Sequence, residues 1–139
     1  MVRSLIVIVS LTLSFSASAE TVTQILFKVN NVQSVETLEG AYMQVEADIV
    51  TKRSDGLEDE GKCLVNREKG ILSGRCMHKD QDGDIRYSTF YRDTNKGTVG
   101  TSTNAGGTGK WENNTESCEY NVEIRNLNVG LVYAEMVCP

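Results

Sequence analysis

The sequence predicts an all-β fold: a small antiparallel meander β-barrel of about seven or eight strands with two disulfides, and a β-sandwich as the alternative. Three observations carry this. Apolar and polar residues alternate with period 2 in several stretches. The four cysteines fall where β-hairpins would bring them face to face. An N-terminal export signal supplies the oxidising compartment that disulfides need.

The signal is read over residues 1–19. Arg3 is the positive flank, Leu5 to Phe15 an apolar run of 11 residues, and Ala17-Ser18-Ala19 a small-residue cleavage site before Glu20. A membrane-spanning helix needs about 20 apolar residues, so this run is too short to anchor the chain. No Cys follows the cleavage site, which argues against a lipid anchor. The expected product is secreted or periplasmic. Cutting 19 residues from 139 leaves 120, a single domain over 20–139, and the loss of Arg3 takes the net charge from −5 to −6. Such a surface repels nucleic acid and anionic membranes, so neither is expected as a partner. The one proline is Pro139, and no linker divides the chain.

The strands follow in order. In Thr21–Val29, Ile25, Phe27 and Val29 share one face. Val32–Leu38 fits a strand, a helical turn or a covering loop. In Ala41–Thr51, Met43, Val45, Ala47 and Ile49 alternate with Gln44, Glu46 and Asp48, giving one dry face and one wet face. Ser54-Asp55-Gly56 ends that strand with turn chemistry. Ile85–Arg92 is rich in Tyr, Thr and Phe, which suit a pleated surface. Tyr87, Tyr91 and Tyr133 are read as sheet-packing aromatics. Thr98–Thr103 is a short β-branched run. A closed meander leaves no sheet edge, which favours the barrel.

The cysteines set the register of two hairpins. A two-residue turn at Lys69-Gly70 pairs Glu68 with Ile71, and counting outward places Cys63 opposite Cys76 in a non-hydrogen-bonded pair. Cys118 opposite Cys138 sets Tyr120 against Met136, Val122 against Ala134 and Ile124 against Val132. The apolar rows then agree with the disulfide at every step, and a slip of one residue would bring Glu119 or Glu123 into that row. The expected bridges are Cys63–Cys76 and Cys118–Cys138. Zinc is not expected, because no C-x-x-C spacing occurs and the chain has one His.

Few segments resemble chemistry. Asp80, Asp82 and Asp84 match the first three ligands of a calcium loop, but Ile85 and Tyr91 stand where the Gly and Glu belong. The stretch reads as a hairpin turn with Gly83 at positive φ, and as a calcium candidate only through its three carboxylates. Gly106-Gly107-Thr108-Gly109-Lys110-Trp111 lacks the first Gly of a phosphate loop, and Trp111 stands where Ser or Thr would hold Mg²⁺. It reads as a glycine-built loop with Trp111 plugging one end of the core. His78 reads as a solvated strand-end residue paired with Asp80 or Asp82, with no nucleophile beside it. Asn113-Asn114-Thr115 is a glycosylation sequon, taken as a surface-loop marker. No catalytic residue and no cofactor is expected.

Cys76, the turn Asp80-x-Asp82-Gly83-Asp84 and the loop Gly106–Trp111, in that order, resemble a group of small secreted bacterial β-barrel proteins. Their shape is similar to allene-oxide-cyclase-like and lipocalin-like barrels. The resemblance spans roughly Gly61 to Asn121. In that group a glycine-rich continuation follows the aromatic residue, where this chain has Glu112-Asn113-Asn114-Thr115-Glu116. The resemblance implies a barrel fold and export, and no particular activity.

The leading expectation of function is a non-enzymatic barrel that binds a small apolar or amphipathic molecule. Met43, Val45, Ile49, Tyr120, Val122, Met136 and Trp111 are its candidate lining residues. It requires a real cavity. A structural or interaction module acting through surface loops is the alternative, and would have a packed interior. A cyclase- or isomerase-like enzyme is a third reading. It would need polar groups turned inward, and Tyr120 is the one inward candidate the alternation offers.

Overall fold

The computed structural model describes residues 19–139. The predicted export signal, apart from Ala19, lies outside the described residues. Among these, eight antiparallel strands follow one another and close into a barrel. They are β1 (Thr21–Thr37), β2 (Gly40–Arg53), β3 (Glu58–Glu68), β4 (Ile71–Asp80), β5 (Ile85–Asp93), β6 (Val99–Gly107), β7 (Ser117–Asn126) and β8 (Leu131–Cys138). A short 3-10 turn, Gly109–Trp111, sits between β6 and β7. β1 pairs with both β2 and β8, so no edge is left open. No helix among the described residues is long and apolar enough to cross a membrane.

Alternation builds the barrel as the sequence suggests. Inward-facing Ile25, Ile49, Cys63, Val65, Cys76, Tyr120, Val122, Ala134 and Met136 form the buried core. The outer face carries Glu46, Lys62, Lys79, Glu119 and Glu123, which water solvates. Lys69 and Gly70 both have positive φ, 50° and 82°, the backbone of the tight turn whose twist matches that of the strands. Glu68 pairs with Ile71, and from there Cys63 meets Cys76. The Cys63–Cys76 and Cys118–Cys138 disulfides both form, with Cα atoms 4.1 and 4.4 Å apart. Val32 and its neighbours continue β1 as far as Thr37.

One expected pairing fails. Tyr120 faces Met136 and Val122 faces Ala134, but a bulge between Val122 and Ile124 then shifts the register. Ile124 pairs with Tyr133 instead of Val132 and points outward, exposed. Arg125 takes the place opposite Val132, on the inner face. An extra bulge residue reverses the side-chain parity beyond it. A similar bulge between Val29 and Asn31 in β1 sets Val32 opposite Val45, on the inside.

The meander gives the barrel two unlike ends. The β2–β3, β4–β5 and β6–β7 connections lie at one end, the floor. The β1–β2, β3–β4, β5–β6 and β7–β8 connections lie at the other, the mouth. The β1–β2 hairpin carries the two longest strands, 17 and 14 residues, and its tip stands beyond the rest of the mouth.

Candidate functional site

Parity brings charged residues into the barrel. Asp59 is two pairs along β3 from Cys63, and His78 is one from Cys76, so both share the cysteines' inward face. Arg86 and Ser88 face inward from β5, opposite His78 and Cys76. Diagonal neighbours across an antiparallel pair are within reach of long side chains. Here three such diagonals become hydrogen bonds, and Arg86 reaches Asp59 across the intervening β4. His78 Nδ1 lies 3.0 Å from Asp59 Oδ1, and His78 Nε2 lies 3.0 Å from Ser88 Oγ. Arg86 donates to the other Asp59 oxygen at 2.7 Å and to Asn104 Oδ1 at 2.9 Å. All five residues are buried. Gly61, opposite His78, is required by close approach: a Cβ there would lie 1.9 Å from the Met77 carbonyl oxygen.

These partners decide the charge states. Burial opposes charge on Asp59, but the His78 hydrogen bond and the Arg86 guanidinium outweigh it and hold the carboxyl far below its usual range. Burial pushes the His78 imidazole down against its hydrogen bond to Asp59, and the Arg86 charge adds to that push. His78 is therefore neutral at pH 7. Its Nδ1–H donates to Asp59 and its Nε2 accepts the Ser88 hydroxyl proton. His78 is thus neither solvated nor paired with Asp80 or Asp82. Its partner is Asp59, because Asp59 shares its inward parity.

Beneath this network the floor is sealed. Trp111 is buried, its Nε1–H donates to Asp80 Oδ2 at 3.0 Å, and the Arg86 guanidinium stacks 5.2 Å from its ring centre. Arg53 lies over the same ring at 5.9 Å. Trp111 is therefore a plug below the floor and not a lining residue of the interior. Lys110 Nζ sits 3.0 Å from Asp80 Oδ2 and 2.6 Å from Asp82 Oδ2. Asp84 accepts the Lys110 backbone N–H at 3.4 Å. The three carboxylates of the calcium candidate thus hold the Lys110 side chain and backbone and the Trp111 indole. Asp80 also accepts the N–H groups of Asp82 and Asp84, the turn chemistry expected of this stretch.

Above the floor the barrel is hollow. A cavity of about 320 Å³ runs to the mouth, within the size range of small-molecule sites. Six of the seven candidate lining residues reach it: Met43, Val45, Ile49, Tyr120, Val122 and Met136. Phe90 forms an aromatic wall with Phe27 and Tyr120, ring centres 6.4 Å apart in each case. Gly100 makes room for the Tyr120 ring, since a Cβ there would lie 2.5 Å from its tip. Burial raises the Tyr120 hydroxyl to about 12, with Arg92 opposing, so it stays neutral. His78, Arg86, Ser88 and Thr51 line the cavity's lower end.

Three arginines line its upper end: Arg67, Arg92 and Arg125. Arg92 is buried, and its Nε has no hydrogen-bond partner. None of the three lies within ion-pair distance of a carboxylate among the described residues. The sequence reading missed them, and it missed Asp59 and Arg86. The signal for four of the five was parity. Once the Cys63–Cys76 bridge fixes which face is inward, Asp59 and Arg67 follow along β3, and Arg86 and Arg92 follow on β5. Arg125 had no such signal, because the bulge that turns it inward leaves no mark in the alternation.

No family model, curated protein or solved structure matches this chain.

Proposed function

We propose that this is an exported binding protein whose barrel takes an elongated molecule with an apolar body and an anionic end. The observation that carries the reading is the pairing of an open apolar cavity with three arginines at its mouth that have no acidic partner. Fixed positive charge beside a cavity attracts and orients an anion, and an apolar wall then holds the body by burial. The chain is acidic overall, yet the charged residues lining the upper end of the cavity are all arginines. The expected export signal and the two disulfides fit a secreted or periplasmic setting.

An empty apolar volume costs a protein dispersion contacts, so a cavity of this size is a poor choice for a module that acts only through its surface. That favours the binding reading over the structural one. Arg92 at the mouth and Ser88 at the lower end of the cavity are four residues apart on β5, about 13 Å of strand. A ligand filling the cavity has a body of that order.

The test is a fluorescence titration with dansyl-labelled undecanoic acid and with its methyl ester. The acid binds saturably at one site per chain, and the ester binds more weakly. Arg92→Met keeps an apolar stem, removes one charge-assisted contact of about 1.5 kcal/mol, and weakens the acid about tenfold. The ester's affinity stays unchanged. Equal affinities of acid and ester, or no binding of either, would refute the reading.

A further inference from the structure

The floor network has a use that sealing the barrel does not require. Ser88 Oγ, His78 Nε2, His78 Nδ1 and Asp59 Oδ1 form one line of hydrogen bonds, 3.0 Å at each step. Ser88 and His78 both line the cavity, so the free side of the hydroxyl is reached from the mouth. Two polar atoms in the same stretch of wall are buried without a partner: Thr51 Oγ1 and Arg86 Nε. An unpaired buried donor is costly, and unlike the orphaned Thr23 Oγ1 and Arg53 Nε these two belong to residues that line the cavity. Each can donate to an oxygen that a bound molecule brings.

We infer that Ser88 is the nucleophile of a hydrolytic centre acting on a carboxylic ester whose apolar chain occupies the cavity. The parts stand in the roles that acyl transfer needs: a hydroxyl, a neutral imidazole as its base, a carboxylate that fixes the imidazole's tautomer, and donors for the developing oxyanion. Ser88 Oγ attacks the ester carbonyl carbon while its proton passes to His78 Nε2. The carbon–oxygen bond to the alcohol breaks, and the alcohol leaves with that proton. Water then attacks the acyl-Ser88 ester and gives its proton to His78. Ser88 oxygen departs and recovers the proton, and a carboxylic acid is released. Ester and water become acid and alcohol, with no other reactant. Asp59 touches no substrate; it holds the ring and balances the imidazolium as it forms. The inference rests on the cavity being open to ligand, as in the proposed function, and adds a reaction at its closed end.

The experiment is incubation of the mature protein with an alkyl fluorophosphonate, read by intact mass and peptide mapping. The same sample is titrated with the dansyl acid and assayed on 4-nitrophenyl esters of short- and medium-chain acids. The expected result is one phosphonyl group per chain, on Ser88, and ester turnover that rises with chain length. Ser88→Ala removes one oxygen, folds as the parent does by thermal unfolding, and loses both label and turnover. His78→Gln lowers turnover at least about a hundredfold. Asp59→Asn, with turnover normalised to the folded fraction measured by thermal unfolding, lowers kcat and leaves KM unchanged, a split that a smaller folded fraction would not produce after that normalisation. Dansyl-acid binding without label or turnover overturns the hydrolytic centre and leaves the binding reading intact. Label on Ser88 without dansyl-acid binding supports the centre and overturns the binding reading. Label on any other residue, or turnover that survives Ser88→Ala, also overturns the centre.

Discussion

The two ends of this barrel solve opposite problems with the same strands. At the floor, inward positions carry Asp59, His78, Arg86 and Asn104, tied together by hydrogen bonds and capped by Trp111. At the mouth, inward positions carry Val32, Met43, Leu127 and three arginines without acidic partners around an open cavity. The rim outside it is apolar, with Val35, Leu38 and Val129 exposed. The Cys63–Cys76 bridge sits at mid-height and the Cys118–Cys138 bridge near the floor. The difference shows how a small barrel can spend its stabilising interactions unevenly. One end fixes the fold, which leaves the other free to stay unfilled.

The largest break in this comparison comes at the floor. Asp59→Ala leaves Arg86 and His78 buried without their acceptor, and removing one member of such a pair costs about 3–5 kcal/mol. Replacing Arg67 with Ala at the mouth removes no ion pair among the described residues and shifts stability by about 0.5 kcal/mol or less. Urea unfolding of both variants checks the asymmetry, and equal losses would contradict it. The disulfides come next. Their separations, 13 and 20 residues, each imply about 3 kcal/mol in the chain-entropy model. Paired Cys→Ala variants should therefore fall within about 0.5 kcal/mol of each other in the same measurement.

The smallest effect is a pH dependence confined to the floor. His78 has a folded pKa below its ordinary 6.5, so the unfolded chain binds its proton first as pH falls. Stability declines from about pH 6.5 downward until His78 protonates in the folded state. Asp59, with its folded pKa depressed below 3.8, adds a second decline that begins near pH 4. Thermal unfolding between pH 8 and pH 3 should show both, and His78→Gln should remove the upper one. A flat profile from pH 7 to pH 5 in the parent would contradict the buried neutral imidazole.

Much of this was legible in the residues themselves. The Lys69-Gly70 turn, the alternation in Ala41–Thr51 and the agreement of Cys118–Cys138 with its apolar row specify hairpins and closure, because turn chemistry and period are local properties. The polar interior was harder to read. A charge on an inward position is expensive unless partners meet it, and the partners Asp59, His78 and Arg86 come from three different strands. Only the folded register shows that they meet. Trp111 was legible as a plug but not as an element lying outside the cavity, since that depends on Arg86 coming between. Arg125 was hidden altogether, because its inward turn depends on one extra residue in β7.

Methyl NMR of methionine-labelled protein tests the open mouth and sealed floor most directly. Met43 and Met136 line the cavity, and Met77 lies on the outer face, 47% exposed. On titration with dodecanoate, the Met43 and Met136 methyl resonances should move together and saturate while Met77 stays in place. Movement of Met77 alone, or no movement at any of the three, would contradict a barrel that takes its ligand inside.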